Sequence, residues 1–565
     1  MFREIIGLPL FLFIALVHHD DALDISVTIQ QGTLRGGIHL SRNNSEYYGF
    51  LGIPFAKPPV GDLRFEPPQP PEAWNGVRDA TLPPPICIQK EIFTYDDHLR
   101  EIVGQEDCLY LNLFVPKAKK MHPLPVMVYM HGGGFVVGGA DFYEATYFMD
   151  HDVIIIVIQY RLNILGFLST GDDVVPGNNG MKDQVMALKW IQKNIADFGG
   201  NPNQVTIFGE SAGAGSVHYH MHSPLSKGLF HRAISQSGSS LASWAMQSRK
   251  LARQRAHALG IITYCPITSS QNLVNCLRKI PAREIVIAHN KFYAWDAEPT
   301  VPFSVVAEPS TVKEAFIYQS PWHQDTVNNV PWMVGMTSAE GIVKAARYLH
   351  ENGTKAKYLN AHYKRLLPIA FYYGSYIEDR EKVDQITESI KKFYFGDKNI
   401  GMETAKELIQ LYSDGYFTYS VLEAARRYKG PVYFYYYDHR NKRTFTEIFG
   451  QIAGDLGVCH VDDLISLFPL NGFVPKITEG DDLKVSERLV KYWVNFAASG
   501  NPNGDDALWA PVPVSKDFEY LHITTNQDQV KTGLLLDSYE FWKSLNVIPP
   551  PEDVKVSSTK YVNEF

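Results

Sequence analysis

The sequence predicts an α/β protein built on a central, mostly parallel mixed sheet with helices on both faces. Pro125 to Met130 and Val153 to Tyr160 are short, continuous apolar runs rich in β-branched residues, the pattern of strands buried on both sides. Between such runs lie stretches of helical period. From Met181 to Phe198 the apolar residues Met181, Val185, Leu188, Ile191 and Ile195 recur on one face. Strand and helix then alternate along the middle of the chain, and that alternation implies parallel strands joined by crossover helices.

At the N-terminus, Arg3 precedes an apolar stretch from Ile5 to Val17, and Ala22 offers a small residue for cleavage. The stretch is short for a membrane span and fits an export signal over residues 1–22, with a buried strand or helix as the alternative. No later apolar run is long enough to anchor the chain in a bilayer. No repeat or low-complexity linker divides the rest of the chain, so residues 23–548 are expected to form one domain. Within it, Val205 to Phe208 reads as a strand that runs into glycine-rich sequence and a helix. Pro331 to Met336 and Pro431 to Tyr437 read as further strands, and Leu483 to Ala498 as a helix. Pro549-Pro550-Pro551 opens a polar tail, residues 549–565. Its end, Val562-Asn563-Glu564-Phe565, is similar to an endoplasmic-reticulum retention signal but departs from it at the last residue, so release from the cell is expected over retention in the lumen.

The chain has 53 Lys and Arg against 61 Asp and Glu, a formal charge of -8, and no basic run that could follow a phosphate backbone; a nucleic-acid partner is not expected. In an exported chain, four of the five cysteines can pair. Short spacings favour Cys87–Cys108 and Cys265–Cys276, leaving Cys459 as a free, buried thiol. Asn43-Asn44-Ser45 and Asn352-Gly353-Thr354 are glycosylation sequons, and Asn43 and Asn352 are the expected acceptors.

The chemistry concentrates in Gly209-Glu210-Ser211-Ala212-Gly213, a G-x-S-x-G between a strand and a helix. A serine on that bend sits on strained backbone at the start of a helix, where unpaired N–H groups favour a developing anion. Ser211 is therefore the candidate nucleophile. His131-Gly132-Gly133-Gly134-Phe135 follows the strand Pro125 to Met130, and glycines there let backbone N–H groups approach a substrate oxygen. The run lacks the G-K-[ST] and G-x-G-x-x-G patterns of a phosphate cradle. A serine hydroxyl needs a histidine to take its proton and a carboxylate to orient that histidine. Glu340 lies just past the strand Pro331 to Met336, and His460 lies in Gly457-Val458-Cys459-His460, after the strand Pro431 to Tyr437. Position alone leaves other late histidines open among the 19.

These motifs resemble those of the type-B carboxylesterase and cholinesterase family over nearly the whole chain after the signal, and Glu106-Asp107-Cys108-Leu109-Tyr110-Leu111-Asn112 is similar to its second signature. The resemblance implies the α/β-hydrolase fold and a serine carboxylesterase that needs no cofactor and acts on a small-molecule ester. It implies a triad of Ser211, Glu340 and His460 and an oxyanion hole of Gly133, Gly134 and Ala212. Ser237 and Glu210 would support the triad, and Trp244 and Phe135 would border the acyl pocket. It further implies the disulfides Cys87–Cys108 and Cys265–Cys276 and the ion pairs Arg64–Glu106 and Arg161–Asp183. Ser216 to His220 and Gly457 to Leu464 are most similar to secreted insect esterases. Two departures stand against specialised members: no tryptophan lies between Cys87 and Cys108, where cholinesterases place one for a quaternary ammonium group, and Glu210 stands where juvenile hormone esterases typically carry glutamine. The competing readings are a non-catalytic adhesion or binding member, or a stoichiometric ester scavenger.

His218, His220 and His222 are read as helix packing and not as a metal site, since no H-E-x-x-H accompanies them. Asp462-Asp463 and Asp172-Asp173 are read as solvated turns or caps.

Overall fold

The computed structural model describes residues 25–95, 101–117, 121–452, 454–504, 508–512 and 518–547. The expected export signal and the polar tail lie outside the described residues.

Eleven strands make the main sheet. In chain order they are β1 (Gly37–Leu40), β2 (Glu46–Pro54), β3 (Tyr110–Pro116), β4 (Leu124–Met130), β5 (Ile154–Ile158), β6 (Gly200–Glu210), β7 (Arg232–Gln236), β8 (Trp332–Thr337), β9 (Val432–Tyr437), β10 (Glu519–Ile523) and β11 (Gln529–Thr532). Across the sheet the order is β11-β10-β9-β8-β7-β6-β4-β5-β3-β2-β1. The block from β5 to β10 is parallel throughout, while β1, β2 and β3 at one edge and β11 at the other are antiparallel. Every residue of β5, all isoleucine or valine, is buried, which requires cover on both faces.

The strands expected from apolar runs are present, and β6 is longer than its apolar core, extending back to Gly200. The expected helix over 181–198 is α1 (Asn179–Asn194), followed by a 3-10 turn to Phe198 that stops at Gly199 with φ +80°. The other helices that frame the site and its surroundings are α2 (Ala212–His222), α3 (Arg249–Ile262), α4 (Ile342–Ala370), broken by non-helical backbone from His350 to Gly353, and α5 (Gly480–Ser499). The edge strands β1 and β11 had no apolar run to announce them; all four residues of β11 are exposed.

Covalent and ionic ties hold the loops around this frame. Cys87–Cys108 and Cys265–Cys276 are disulfides with S–S distances of 2.01 and 2.05 Å, and Cys459 is a buried free thiol. Arg64 makes paired 2.6 Å hydrogen bonds to Glu106, and Arg161 holds Asp183 at 2.7 and 2.8 Å; both pairs are largely enclosed. Asn43 and Asn352 are exposed, and Asn352 lies in the break of α4.

Four adjacent parallel strands, β6, β7, β8 and β9, aim their carboxyl ends at one place. Ser211 follows β6, Ser237 follows β7, Glu340 lies three residues past β8, and the chain leaving β9 leads to His460. Reactive groups of an open parallel sheet belong at such ends.

Candidate active site

The bend that carries Ser211 is set by its glycines. A Cβ on Gly213 would lie 1.9 Å from the Met130 carbonyl oxygen, and one on Gly209 would lie 2.5 Å from the same atom. No side chain fits either position, so β4, β6 and α2 approach this closely only with glycine there. Ser211 takes φ +56° and ψ -119°, a strained backbone for a residue with a side chain, and caps α2.

Beside it lies the loop from Gly132 to Gly138. Gly133 has φ +100°, and a Cβ there would lie 2.1 Å from the Val137 carbonyl oxygen. The Gly133 carbonyl accepts from the N–H groups of Val136 and Val137, both at 3.0 Å, which folds the loop back on itself. A Cβ built on Gly132 would stand 3.1 Å from Cβ of Ser211, so the loop touches the nucleophile. The N–H groups of Gly133, Gly134 and Ala212 have no acceptor among the described residues. Unpaired backbone donors are rare in a protein interior, and three of them beside a strained serine are suited to receive an oxyanion.

The acid and the histidine come together over 120 positions of sequence. His460 Nδ1 meets Glu340 Oε2 at 2.5 Å. The other carboxylate oxygen accepts from the Ser237 hydroxyl at 2.5 Å and the Thr337 N–H at 2.7 Å. The two loops are also tied by backbone, since the Ala339 N–H donates to the Val458 carbonyl at 2.9 Å. His460 Nε2 faces Glu210 Oε1 at 3.0 Å, one residue from Ser211, and in this arrangement the Ser211 hydroxyl makes no hydrogen bond to it. Glu210 thus stands directly against the imidazole.

Electrostatics follows from that crowding. Burial pulls the His460 pKa down, but the Glu210 and Glu340 carboxylates outweigh it and hold the pKa up at about 9. Burial pushes the Glu210 carboxyl up to about 8, against the opposing pull of His460. Asp463 adds a further acid: it is fully buried, accepts from Gln236 Nε2 at 2.9 Å and the Tyr435 hydroxyl at 3.2 Å, and is raised by burial to about 6. Asp462 is equally buried and accepts from the N–H groups of Phe445 and Cys459. Reading this pair as solvated is therefore corrected. The acids open a short helix whose next residues, Leu464 and Ile465, enter the core and carry the acids in with them. Asp172 does form a half-buried turn, accepting from Thr170, Val174 and Ser270.

An aromatic wall completes the site. Phe135 and Trp244 lie 6.3 Å apart between ring centroids, Trp244 and Phe417 another 6.3 Å, and Phe417 lies 4.2 Å from the His460 ring. Phe417, which the sequence did not single out, belongs to a π-helical turn, Asp414–Thr418. That turn is fastened to the wall because Trp244 Nε1 donates to the Tyr416 carbonyl at 3.0 Å. Phe417 carries no local sequence signal, since only the packing of distant segments brings it to His460.

The histidines of α2 pack inside. His218 lies parallel to Trp332 with ring centroids 4.9 Å apart, and His220 hydrogen-bonds Ser226 at 2.7 Å and Gln184 at 2.9 Å. Among the described residues, no cluster of three or more His, Cys, Asp or Glu could hold a metal ion.

Comparison with known proteins shows the family and the fold. The carboxylesterase family profile matches residues 24–542. The chain is 37% identical to a juvenile hormone esterase of Tribolium castaneum, covering 92% of this chain and 94% of that protein. It is 38% identical to venom carboxylesterase-6 of Apis mellifera, covering 91% and 93%. Among solved structures it is similar to the juvenile hormone esterase of Manduca sexta with OTFP covalently attached, at a TM-score of 0.81 and 28% identity, covering 92% of this chain and 99% of that one. That likeness identifies the mixed sheet as the α/β-hydrolase fold.

Proposed function

The chain belongs to the carboxylesterase family and is a carboxylic-ester hydrolase, and from this premise we propose that Ser211, His460 and Glu340 carry the reaction. His460 Nε2 takes the proton of Ser211 as the hydroxyl oxygen attacks the ester carbonyl. Glu340, fixed by Ser237 and the Thr337 N–H, holds Nδ1 and compensates the positive charge that forms on the ring. The N–H groups of Gly133, Gly134 and Ala212 take up the oxyanion; losing one such donor typically costs about 3–4 kcal/mol in the barrier. His460 returns the proton to the leaving alcohol, an acyl-enzyme remains on Ser211, and water repeats the sequence to release the acid.

The observation that carries this reading is the hydrogen-bonded chain Ser237–Glu340–His460 ending beside a strained serine and three unpaired backbone donors. The missing Ser211–His460 hydrogen bond fits a resting site in which the Glu210 carboxylate stands 3.0 Å from Nε2 as an ion-pair contact without a hydrogen bond; catalytic bonds often align only when substrate binds. Phe135, Trp244 and Phe417 would border the acyl chain. Ser211→Ala is expected to remove ester turnover while leaving the circular-dichroism spectrum and melting temperature close to the parent's. Normal turnover in that variant would contradict the assignment. Gly133→Asp is expected to impair turnover, because its side chain meets the Val137 carbonyl and brings negative charge where the oxyanion forms.

Export is part of the same proposal. It is supported by the N-terminal apolar stretch and by two disulfides, bonds that persist in oxidising compartments. Among the described residues, no helix is long and apolar enough to cross a membrane. Asn43 and Asn352 would be the glycan acceptors, both exposed.

A further inference from the structure

A second pocket, away from the triad residues, holds a buried cation without a counter-charge. Its base is Arg255 on α3, which is 9% exposed. Arg255 Nη1 donates to the Pro302 carbonyl and to Gln247 Oε1 at 2.9 Å, but Nε and Nη2 have no acceptor, and no carboxylate pairs with the guanidinium, among the described residues. Both nitrogens are open to the pocket and not sealed in the core, so the charge is available to an anion that enters from solvent, and arginines this buried usually have such a partner. Burial lowers its pKa only to about 10, so it stays charged at neutral pH. Glu378, two residues past Tyr376 of the lining, is held by Lys250 at 3.0 Å on the surface. His289, close enough to feel the guanidinium, is kept neutral at ordinary pH by burial and by that charge.

The rest of the lining suits an anion with an alkyl part. Ser248 caps α3, its hydroxyl accepting from the Leu251 N–H at 3.2 Å, and both residues line the pocket, so the positive end of a 14-residue helix faces the same space as Arg255. Met246, Leu251 and Tyr376 form an apolar flank, and Ser375 marks the mouth at the surface. The enclosed space is about 20 Å³, room for a head group, with the remainder of a ligand lying toward solvent.

We propose that this pocket binds a carboxylate, with its oxygens on Arg255 and the start of α3 and its alkyl chain along Met246, Leu251 and Tyr376. Carboxylic acids are what ester hydrolysis releases, so turnover would itself supply ligands of this class; binding does not depend on the assignment of the triad.

The test is a melting-temperature titration of the full chain with hexanoate, and separately with inorganic phosphate. It is run on the parent, on Ser211→Ala, and on two pocket variants. Hexanoate is expected to raise the melting temperature of the parent and of Ser211→Ala alike, growing with the logarithm of concentration, while phosphate, lacking the alkyl part, has a much smaller effect. Arg255→Met is expected to weaken hexanoate binding by about tenfold or more, the scale of a charged hydrogen bond. Leu251→Glu guards against a variant that fails to fold. It places a carboxylate four residues before Arg255 on the same helix face, at the half-exposed mouth and in the first turn of α3, where it would occupy the site itself. That variant should melt higher than the parent without ligand and lose the response to hexanoate. No hexanoate response in the parent, a response that survives Leu251→Glu, or an equal response to phosphate would overturn the proposal. Loss of turnover in Ser211→Ala is read separately, so failure here and failure of the hydrolytic assignment are distinguishable.

Discussion

His460 and His220 are both enclosed imidazoles, 3% and 0% exposed, yet their surroundings drive them in opposite directions. Around His220 the partners are neutral, Ser226 and Gln184, and burial takes its pKa down to about 3. Around His460 stand Glu210 and Glu340, and their charge overcomes the same burial to give about 9. Burial alone would produce another silent core histidine. The carboxylates make the difference, and they give the site a base that holds its proton more tightly than an ordinary histidine.

The largest expected effect separates the two positions by function. His460→Gln should cost roughly ten-thousandfold or more in kcat/KM, because the proton of Ser211 loses its acceptor. His220→Gln should keep kcat/KM within about tenfold and lower the melting temperature instead, through packing. Equal kinetic losses in both would break the contrast. The next effect concerns pH. Since His460 is active when neutral and its pKa is raised, kcat/KM in the parent should climb from neutral into alkaline pH. Glu210→Gln removes a charge that favours the protonated ring, so the rising limb should move to lower pH, by about one unit or more. A pH–rate profile checks this, and a limb that stays put would show that Glu210 does not govern the base.

A smaller effect lies in stability. His220 binds its proton less readily folded, at about 3, than unfolded, near 6.5. As pH falls below about 6.5 the unfolded chain takes up a proton that the native state refuses, so native stability declines by about 1.4 kcal/mol per pH unit from this group until pH nears 3. The buried acids Glu210, Asp462 and Asp463 have raised pKa values and work in the other direction. The measurement is therefore the difference in unfolding free energy between the parent and His220→Gln at pH 7 and pH 5, which should shift against the parent as pH falls. A pH-independent difference would contradict it. The smallest effect is expected from Phe417→Leu, which keeps bulk but loses the ring over His460; a several-fold fall in kcat/KM with normal folding would place the aromatic contact in function.

The same contrast explains what the sequence could reveal. The Ser211 bend and the Gly133 loop are legible because they are local: adjacent glycines and a strand–helix boundary carry the constraint. The buried central strands were equally plain from their apolar runs, whereas the short edge strands β1 and β11 have no such runs. Glu340 and His460 could be placed after strands, but choosing that histidine among the late ones rested on family resemblance, since their contact spans 120 positions. The burial of Asp463 and the approach of Phe417 arise from tertiary packing alone. A weak hint for Asp463 existed, as it lies three residues past His460 in a segment that turns apolar immediately afterwards.

The most direct test is covalent labelling with a fluorophosphonate, followed by mass spectrometry of the modified peptide. One adduct per chain is expected, on Ser211, formed in step with loss of esterase activity and slowed severely in His460→Gln. Full inactivation with the adduct on another residue, or complete labelling at an unchanged rate without His460, would contradict it.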